Sequence, residues 1–419
     1  MKPMNINMLL VAAMASVASG QSMTLLPDTY IVSDFSYDGS VAAGNMLGPY
    51  ETFRWTAETG PVLLGRASLP LIGLAAGSPD ISHDGTRISA SIVNDTGEFL
   101  TQGVWDIKDG WTSLEQPIAP DAIITDGNMA SAWGLSGDGS TVSGFYWYTG
   151  AHARPSKWNR DTGVTSLPVT AGLSARVNAL SVDGSVVVGW EATPTGPWQP
   201  TVWRDEVKIR ISESPGGSTA EAVSSDGNFV AGNALETTTQ NRVPTLWEWD
   251  GSSYIEQRLG LLPGTPAFSG WGIAWGVSDD GSTVVGTNFY SINPGGSADG
   301  FVWTEATGLM NAMDYFALIG VDLSGIIDIR AVDAISPDGS TFAATGFHLS
   351  TGDLRTVIIN TNAACIADMN GDGVLDFFDV SAFIAALTAQ DASADLNDDG
   401  QFNFFDVSEF LSAFAAGCP

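Results

Sequence analysis

The 419-residue sequence predicts an all-β seven-bladed β-propeller followed by a small α-helical domain. Three observations predict it: a short Asp-Gly phrase that recurs seven times, a Trp phrase that follows about twenty residues later, and an acidic loop running into an apolar helix, written twice at the C-terminus.

The first phrase reads SYDGSVAAG, SHDGTRISA, SGDGSTVSG, SVDGSVVVG, SSDGNFVAG, SDDGSTVVG and SPDGSTFAA, with its aspartates at Asp38, Asp84, Asp138, Asp183, Asp226, Asp280 and Asp338. The gaps between them are 46, 54, 45, 43, 54 and 58 residues. The second phrase (FRWT, GVWD, SKWN, TVWR, TLWE, FVWT) places Trp at positions 55, 105, 158, 203, 247 and 303, and the seventh unit has TVIIN there. Each unit reads as four short strands. An apolar run enters the motif, Asp-Gly turns the chain because Gly accepts positive φ, and a Val-rich strand leaves it. The Trp strand comes next, and a turn such as ETG or DTG leads to the fourth. Four-stranded units of this period, arranged radially, form a propeller. The seventh unit has only three strands before the tail. SMTLLP at the expected mature N-terminus resembles the fourth-strand phrase VTSLP, so Ser22 to Leu26 is expected to complete the last blade.

The seven aspartates could form a ring of acids or metal ligands; the expectation is that each caps the backbone of its own turn. The repeated Trp are expected to pack blade against blade. Exceptions to a repeat carry the functional signal. Three residues before the motif's Ser the units hold Ser33, Pro79, Trp133, Asn178, Glu221, Trp275 and Asp333, while the neighbouring columns stay apolar or mostly small. Together with longer loops such as YWYTGAHARP, GWEATPTGPWQP and TNFYSINPGGSADG, this column is expected to line a pocket. Its candidate ligand-binding residues are Trp133, Trp147, Trp190, Trp198, Glu221, Trp275 and Asp333, with the indoles stacking on a sugar ring or similar ligand. The bland alternative is that they plug the channel. No catalytic constellation stands out: the three His are scattered, and no nucleophile elbow or phosphate loop occurs.

Residues 1–20 read as a secretory signal peptide, with Lys2, an apolar run over residues 8–17 and cleavage between Ala18 and Gln21. No later stretch suits a transmembrane helix. Residues 21–360 are assigned to the propeller and 361–419 to the tail. Formal charge is −31, of which the tail supplies −10 without one Lys or Arg; such a surface repels nucleic acid. An extracellular location follows. Cys365 and Cys418 flank the doubled motif, and in an exported chain that pair reads as a disulfide, worth roughly 4 kcal/mol on the chain-entropy argument. Two free thiols are the alternative.

The doubled loops place oxygens at positions 1, 3, 5, 7, 9 and 12 with Gly at 6, the spacing of a calcium loop. In the first copy these are Asp368, Asn370, Asp372, the Val374 carbonyl, Asp376 and Asp379, with Gly373. In the second they are Asp395, Asn397, Asp399, the Gln401 carbonyl, Asn403 and Asp406, with Gly400. Two Ca²⁺ ions are expected, since hard oxygen donors suit calcium better than zinc. Each loop runs into a helix whose apolar face (Val380, Phe383, Ile384, Leu387; Val407, Phe410, Leu411, Phe414) can pack on its twin.

The body, over about residues 28–360, resembles the extracellular repeats of the HAF family, which implies a secreted propeller; the family's His-Ala-Phe triplet is replaced by TFR, PTV or GFV. The SPDGS phrase is also similar to TolB-like propellers. Residues 364–419, with Cys365 and the ending AGCP, resemble a GC-type dockerin. That resemblance implies a cohesin-like or other cell-surface receptor as partner. Cellulosomal dockerins carry mostly small polar residues at loop positions 10 and 11, where this chain has Phe377, Phe378, Phe404 and Phe405, either core or contact residues for another receptor. The functional expectation is a secreted, non-catalytic binding or adhesion propeller, with a polysaccharide as a possible ligand. The alternatives are a polysaccharide-degrading hydrolase or lyase, and a purely structural surface-layer component.

Overall fold

Seven antiparallel four-stranded sheets follow one another along the chain in a computed structural model that describes residues 21–48, 51–65, 77–115, 117–212, 216–291, 297–361, 367–370, 375–396 and 400–416. The innermost strands are Tyr30–Phe35, Asp80–Ile81, Ala130–Leu135, Ala175–Leu180, Thr219–Val223, Trp271–Val277 and Ile327–Ile335, numbered here as blades 1 to 7. In blades 1 to 6 the four strands are consecutive. In blade 7 the outermost strand is Ser22–Leu25, paired with Leu354–Asn360, and the Leu26 N–H donates to the Thr356 carbonyl at 2.8 Å. The ring closes by contact too: Thr356 Oγ1 donates to the Tyr30 carbonyl of blade 1 at 2.6 Å. The chain divides into two compact units, this propeller and a smaller one that contains the C-terminal helices.

The Asp-Gly phrase forms a four-residue loop, one turn wider than a two-residue hairpin. In blade 1 the Ser36 N–H donates to the Val41 carbonyl at 2.9 Å and the Gly39 N–H to the Ser36 carbonyl at 3.0 Å. Asp38 Oδ1 accepts from the Ser36 hydroxyl, the Ser40 hydroxyl and the Ser40 N–H at 2.9, 2.7 and 3.0 Å. The Ser36 hydroxyl accepts in turn from the Val41 N–H at 3.0 Å. All seven loops repeat the Ser-to-Asp bond and the backbone bond to Asp. These aspartates are structural, as expected.

The motif's glycine has a second duty. Gly39 has φ +69°, and a Cβ there would lie 2.1 Å from Thr341 Oγ1 of blade 7; at Gly85 it would lie 2.6 Å from Val41 of blade 1. Each turn thus nests against the preceding blade, and at Gly39, Gly85, Gly139, Gly227 and Gly281 the contact is one that only a residue without a side chain permits. The Trp of the second phrase sit at the blade interfaces. Trp247 of blade 5 packs with Val186, Val188 and Val202 of blade 4, and Trp303 of blade 6 with Ala231 and Leu246 of blade 5. Trp203 and Trp247 have no exposed surface.

Three helices occur among the described residues, α1 (Ala312–Leu318), α2 (Phe377–Ala389) and α3 (Phe404–Ala416). Asp376 and Asp379 form a capping box at the start of α2. The faces of α2 and α3 meet at Phe383 and Phe410, whose rings stack 4.2 Å apart. None of the three is long and apolar enough to cross a membrane. The expected signal peptide, Cys365 and Cys418 lie outside the described residues.

Candidate functional site

The varied column owes its position to a backbone irregularity. In blades 1, 3, 4, 5, 6 and 7 the ladder between the first two strands skips Ser33, Trp133, Asn178, Glu221, Trp275 and Asp333, and blade 7 skips Arg330 as well. A bulged residue leaves the in–out alternation and is re-aimed. In blade 2 the counterpart, Pro79, precedes a two-residue strand and has no N–H to give a ladder. All seven residues of the column line one cavity of about 350 Å³ on the propeller axis.

The end of this cavity nearest the Asp-Gly loops is obstructed. The residue after each motif Ser joins a ring of inter-blade bonds: Tyr37 N–H to the His83 carbonyl (3.0 Å), His83 to Gly137 (2.8 Å), Val182 to Ser225 (2.9 Å) and Asp279 to Pro337 (2.8 Å). The His83 side chain crosses that ring. Its Nε2 lies 3.3 Å from the Ser225 hydroxyl of blade 5, three blades away, and its ring stands 5.3 Å from that of Tyr37. A Cβ on Gly137 would come within 2.9 Å of the imidazole, so glycine there makes room for it. His83 and Ser225 therefore obstruct the channel at its Asp-Gly end.

Its walls are acidic and aromatic. Asp34, Asp80, Glu221, Asp279 and Asp333 line it with Trp133 and Trp275, and no Lys or Arg does. Asp34 and Asp80 occupy the column next to the bulge, where the other blades have Gly134, Ala179, Ala222, Gly276 and Ala334. The Ile81 N–H donates to Asp34 Oδ2 at 2.9 Å and Asp80 Oδ1 at 2.7 Å, and the Leu135 N–H to Asp80 Oδ2 at 2.9 Å. The two acids thereby stitch blades 1, 2 and 3 together. Burial, and then the charge of Asp34, pushes the Asp80 carboxyl well above its ordinary range.

Glu221 belongs to a network that starts at Arg176. The Arg176 Nε donates to Asn178 Oδ1 at 2.8 Å, and Asn178 Nδ2 donates to Glu221 Oε2 and the Ala220 carbonyl, each at 2.8 Å. The guanidinium lies 3.9 Å over the Trp133 ring. Burial raises the Glu221 carboxyl and lowers Arg176, and their mutual attraction opposes both shifts. Asp333 has no such partner. Burial raises it to about 6, against hydrogen bonds from Thr345, and its Oδ2 is enclosed without a hydrogen-bond partner.

Of the residues expected at the pocket, Trp133, Glu221, Trp275 and Asp333 meet there. Trp275 is held by a 3.0 Å bond from its Nε1 to Thr287 Oγ1. Trp147, Trp190 and Trp198 do not line it. Trp190 and Trp198 stack on each other at 4.6 Å, and Trp147 meets Phe145 edge-on at 5.2 Å. Sequence reading passed over Asp34, Asp80, Asp279, Arg176 and His83. For the first two a signal existed, since they are acids in a column of Gly and Ala.

In the tail, Asp372, Val374, Asn397 and Asp399 lie outside the described residues. Of the eight expected calcium ligands that are described, those at positions 9 and 12 behave alike in the two copies. Asp379 accepts from the Asn370 and Asp376 N–H groups at 3.3 and 2.9 Å, and Asp406 from those of Leu396 and Asn403 at 3.1 and 2.7 Å. Both carboxylates at position 12 are turned inward with no exposed surface. The Gly400 N–H donates to Asp395 Oδ2 at 2.9 Å, as a tight acidic loop requires. Backbone donors, Asp376 foremost, hold the Asp379 carboxyl below its ordinary range. The donor set, all oxygen, fits calcium, although no three acidic, His or Cys side chains converge on one point among the described residues. Phe377, Phe378, Phe404 and Phe405 are exposed, at 75, 66, 74 and 66%, which excludes the core role for them.

No protein-family model matches the sequence, and no curated protein matches it. Several solved structures are similar in three dimensions. The β-propeller domain of Myceliophteria thermophila Cps50 (Swd1) has 12% identity and a TM-score of 0.49, over 80% of this chain and 99% of that one. Oligogalacturonate lyase from Vibrio parahaemolyticus has 15% identity and a TM-score of 0.49, over 83% and 98%. The β-propeller domain of the Trilobed protease from Pyrococcus furiosus has 14% identity and a TM-score of 0.48, over 80% and 96%.

Proposed function

We propose that this chain is a secreted, non-catalytic binding protein whose propeller takes a ligand in its axial pocket, with a polysaccharide end or branch as the class favoured by the exposed loops. The observation that carries this reading is the bulged column: one varied residue per blade, re-aimed by the backbone onto a common cavity. A purely structural ring would have no use for such variety at one position whose neighbouring columns are apolar or mostly small.

The tail is read as a dockerin-type module that two Ca²⁺ ions lock into shape and that tethers the propeller outside the cell. Asp368, Asn370, Asp372, Asp376 and Asp379 with the Val374 carbonyl would hold one ion. Asp395, Asn397, Asp399, Asn403 and Asp406 with the Gln401 carbonyl would hold the other. The exposed Phe pairs at positions 10 and 11 favour a receptor with an apolar face, different from a polar-reading cohesin. The disulfide between Cys365 and Cys418 is part of the same proposal.

An enzyme reading, a polysaccharide hydrolase or lyase, draws on the pocket's carboxyl groups. Asp34 and Asp80 speak against it, because their oxygens are taken up by backbone amides that join blades. A glycan array probed with the secreted chain, followed by reducing-sugar assays on the hits, separates the readings. Binding without release of reducing ends is expected. Release of reducing ends or unsaturated products would replace the binding reading with the enzymatic one, and an empty array would favour the structural ring.

A further inference from the structure

The charge and the aromatic content of the pocket narrow what it can hold. Five carboxyl groups face it and no Lys or Arg lines it, and Arg176, behind the wall, joins Glu221 through Asn178 and offsets part of its charge. Asp333 is half-buried, and its Oδ2 is enclosed by protein without a hydrogen-bond partner. Asp34 and Asp80, tied to backbone amides, face the same small space, and because the charge of Asp34 raises Asp80 the pair adds less than two full charges to it. An enclosed cavity of low dielectric amplifies such an imbalance, since a charge inside it meets little screening.

Two kinds of cation could answer that field. A divalent metal needs several hard oxygens converging within about 2–2.6 Å, and no three acidic, His or Cys side chains do so among the described residues. The carboxyls are distributed round the ring, in blades 1, 2, 5, 6 and 7. Between them stand the indoles of Trp133 in blade 3 and Trp275 in blade 6. Aromatic faces alternating with acids recognise a bulky, weakly hydrated organic cation. The volume, about 350 Å³, is that of a small-molecule site and far exceeds an ion.

We propose that the axial pocket binds a ligand through an ammonium group, held against the Trp275 indole and facing Glu221 and Asp333, with Trp133, one face of which already carries Arg176, as a side wall, and with an amino sugar or a polyamine as the chemical class. This deepens the binding reading above and rests on it. His83 and Ser225 obstruct the far end, so the ligand enters ammonium first and the rest of it lies among the inter-blade loops.

The test is calorimetric titration of the full secreted chain, with calcium present, using three probes: a glucosamine trimer, its N-acetylated counterpart and spermidine. The glucosamine trimer and spermidine are expected to bind, and acetylation, which removes the charge and keeps the sugar, is expected to weaken binding about tenfold or more. Glu221→Gln and Trp275→Ala are each expected to weaken spermidine about five- to tenfold. Trp275→Phe, which keeps a π face, should recover most of that loss if the indole acts as a face and not as core filling. Equal binding of the acetylated and free trimers would overturn the ammonium inference and leave the binding reading standing. So would failure of all three probes while a neutral glycan from the array binds. Binding of no probe and no array glycan would remove the binding reading itself.

Discussion

Aspartate is repeated in both parts of this chain, and it is used in opposite ways. In the propeller each motif Asp is surrounded by donors that the motif itself supplies: a Ser hydroxyl two residues before, and the N–H two residues after. In the tail the acidic loops contain no hydroxyl donors, the segment has ten negative charges, and it has no Lys or Arg. Repetition alone therefore does not mark a metal site. The calcium proposal rests instead on the spacing of oxygens at positions 1, 3, 5, 7, 9 and 12 and on a charge that no Lys or Arg of the tail offsets.

Removing calcium breaks this comparison most forcefully. Two Ca²⁺ would offset four of the tail's ten negative charges. In chelator α2 and α3 should lose most of their helix, with the β-signal of the propeller unchanged; circular dichroism identical with and without calcium would refute the calcium assignment. Within the propeller, Trp247→Ala should cost about 3–5 kcal/mol by opening a blade interface, read as a shift of the denaturation midpoint.

A finer contrast lies among the propeller's own acids. Asp333, raised by burial to about 6, opposes folding once it ionises. Its contribution is harmless below pH 4, and stability is lost as pH rises from there through 6. Asp333→Asn should therefore stabilise the protein by up to about 3 kcal/mol above pH 6 and by nothing below pH 4. The turn acids Asp38, Asp84, Asp138, Asp183 and Asp280 have the opposite sign. Burial raises Asp84 somewhat, but bonds from the Ser82 hydroxyl and the Thr86 N–H and hydroxyl outweigh it and hold the carboxyl low. Their stabilisation is present at neutral pH and disappears as pH falls below 4. Asp84→Ala should cost about 1–2 kcal/mol at pH 7 and progressively less in acid. Melting curves of the two variants against pH should diverge in opposite directions; parallel curves would refute the distinction.

Much of the fold was legible because it is written seven times. Period, turn and Trp phrase fixed the blade count, and the likeness of SMTLLP to VTSLP located the closing strand. The pocket column was legible as a break in the pattern. Its cause was not, since a β-bulge leaves no residue signature when its occupant ranges from Ser33 to Trp275. Trp147, Trp190 and Trp198 misled because an aromatic in a long loop looks available. Trp190 instead finds its partners in Trp198 and Arg176, through a register no local pattern encodes. The obstruction by His83 and Ser225, 142 residues apart, depends on ring geometry alone.

The strand Ser22–Leu25 finds its place beside Leu354–Asn360, some 330 positions downstream. A chain that emerges from its N-terminus must carry this segment unpaired until six blades and most of the seventh have been made. Topology of that kind makes circularisation the last step of assembly and a slow one, because the search spans the whole module. It also places the first and last strands of the propeller in one sheet, so losing either would unfasten the ring.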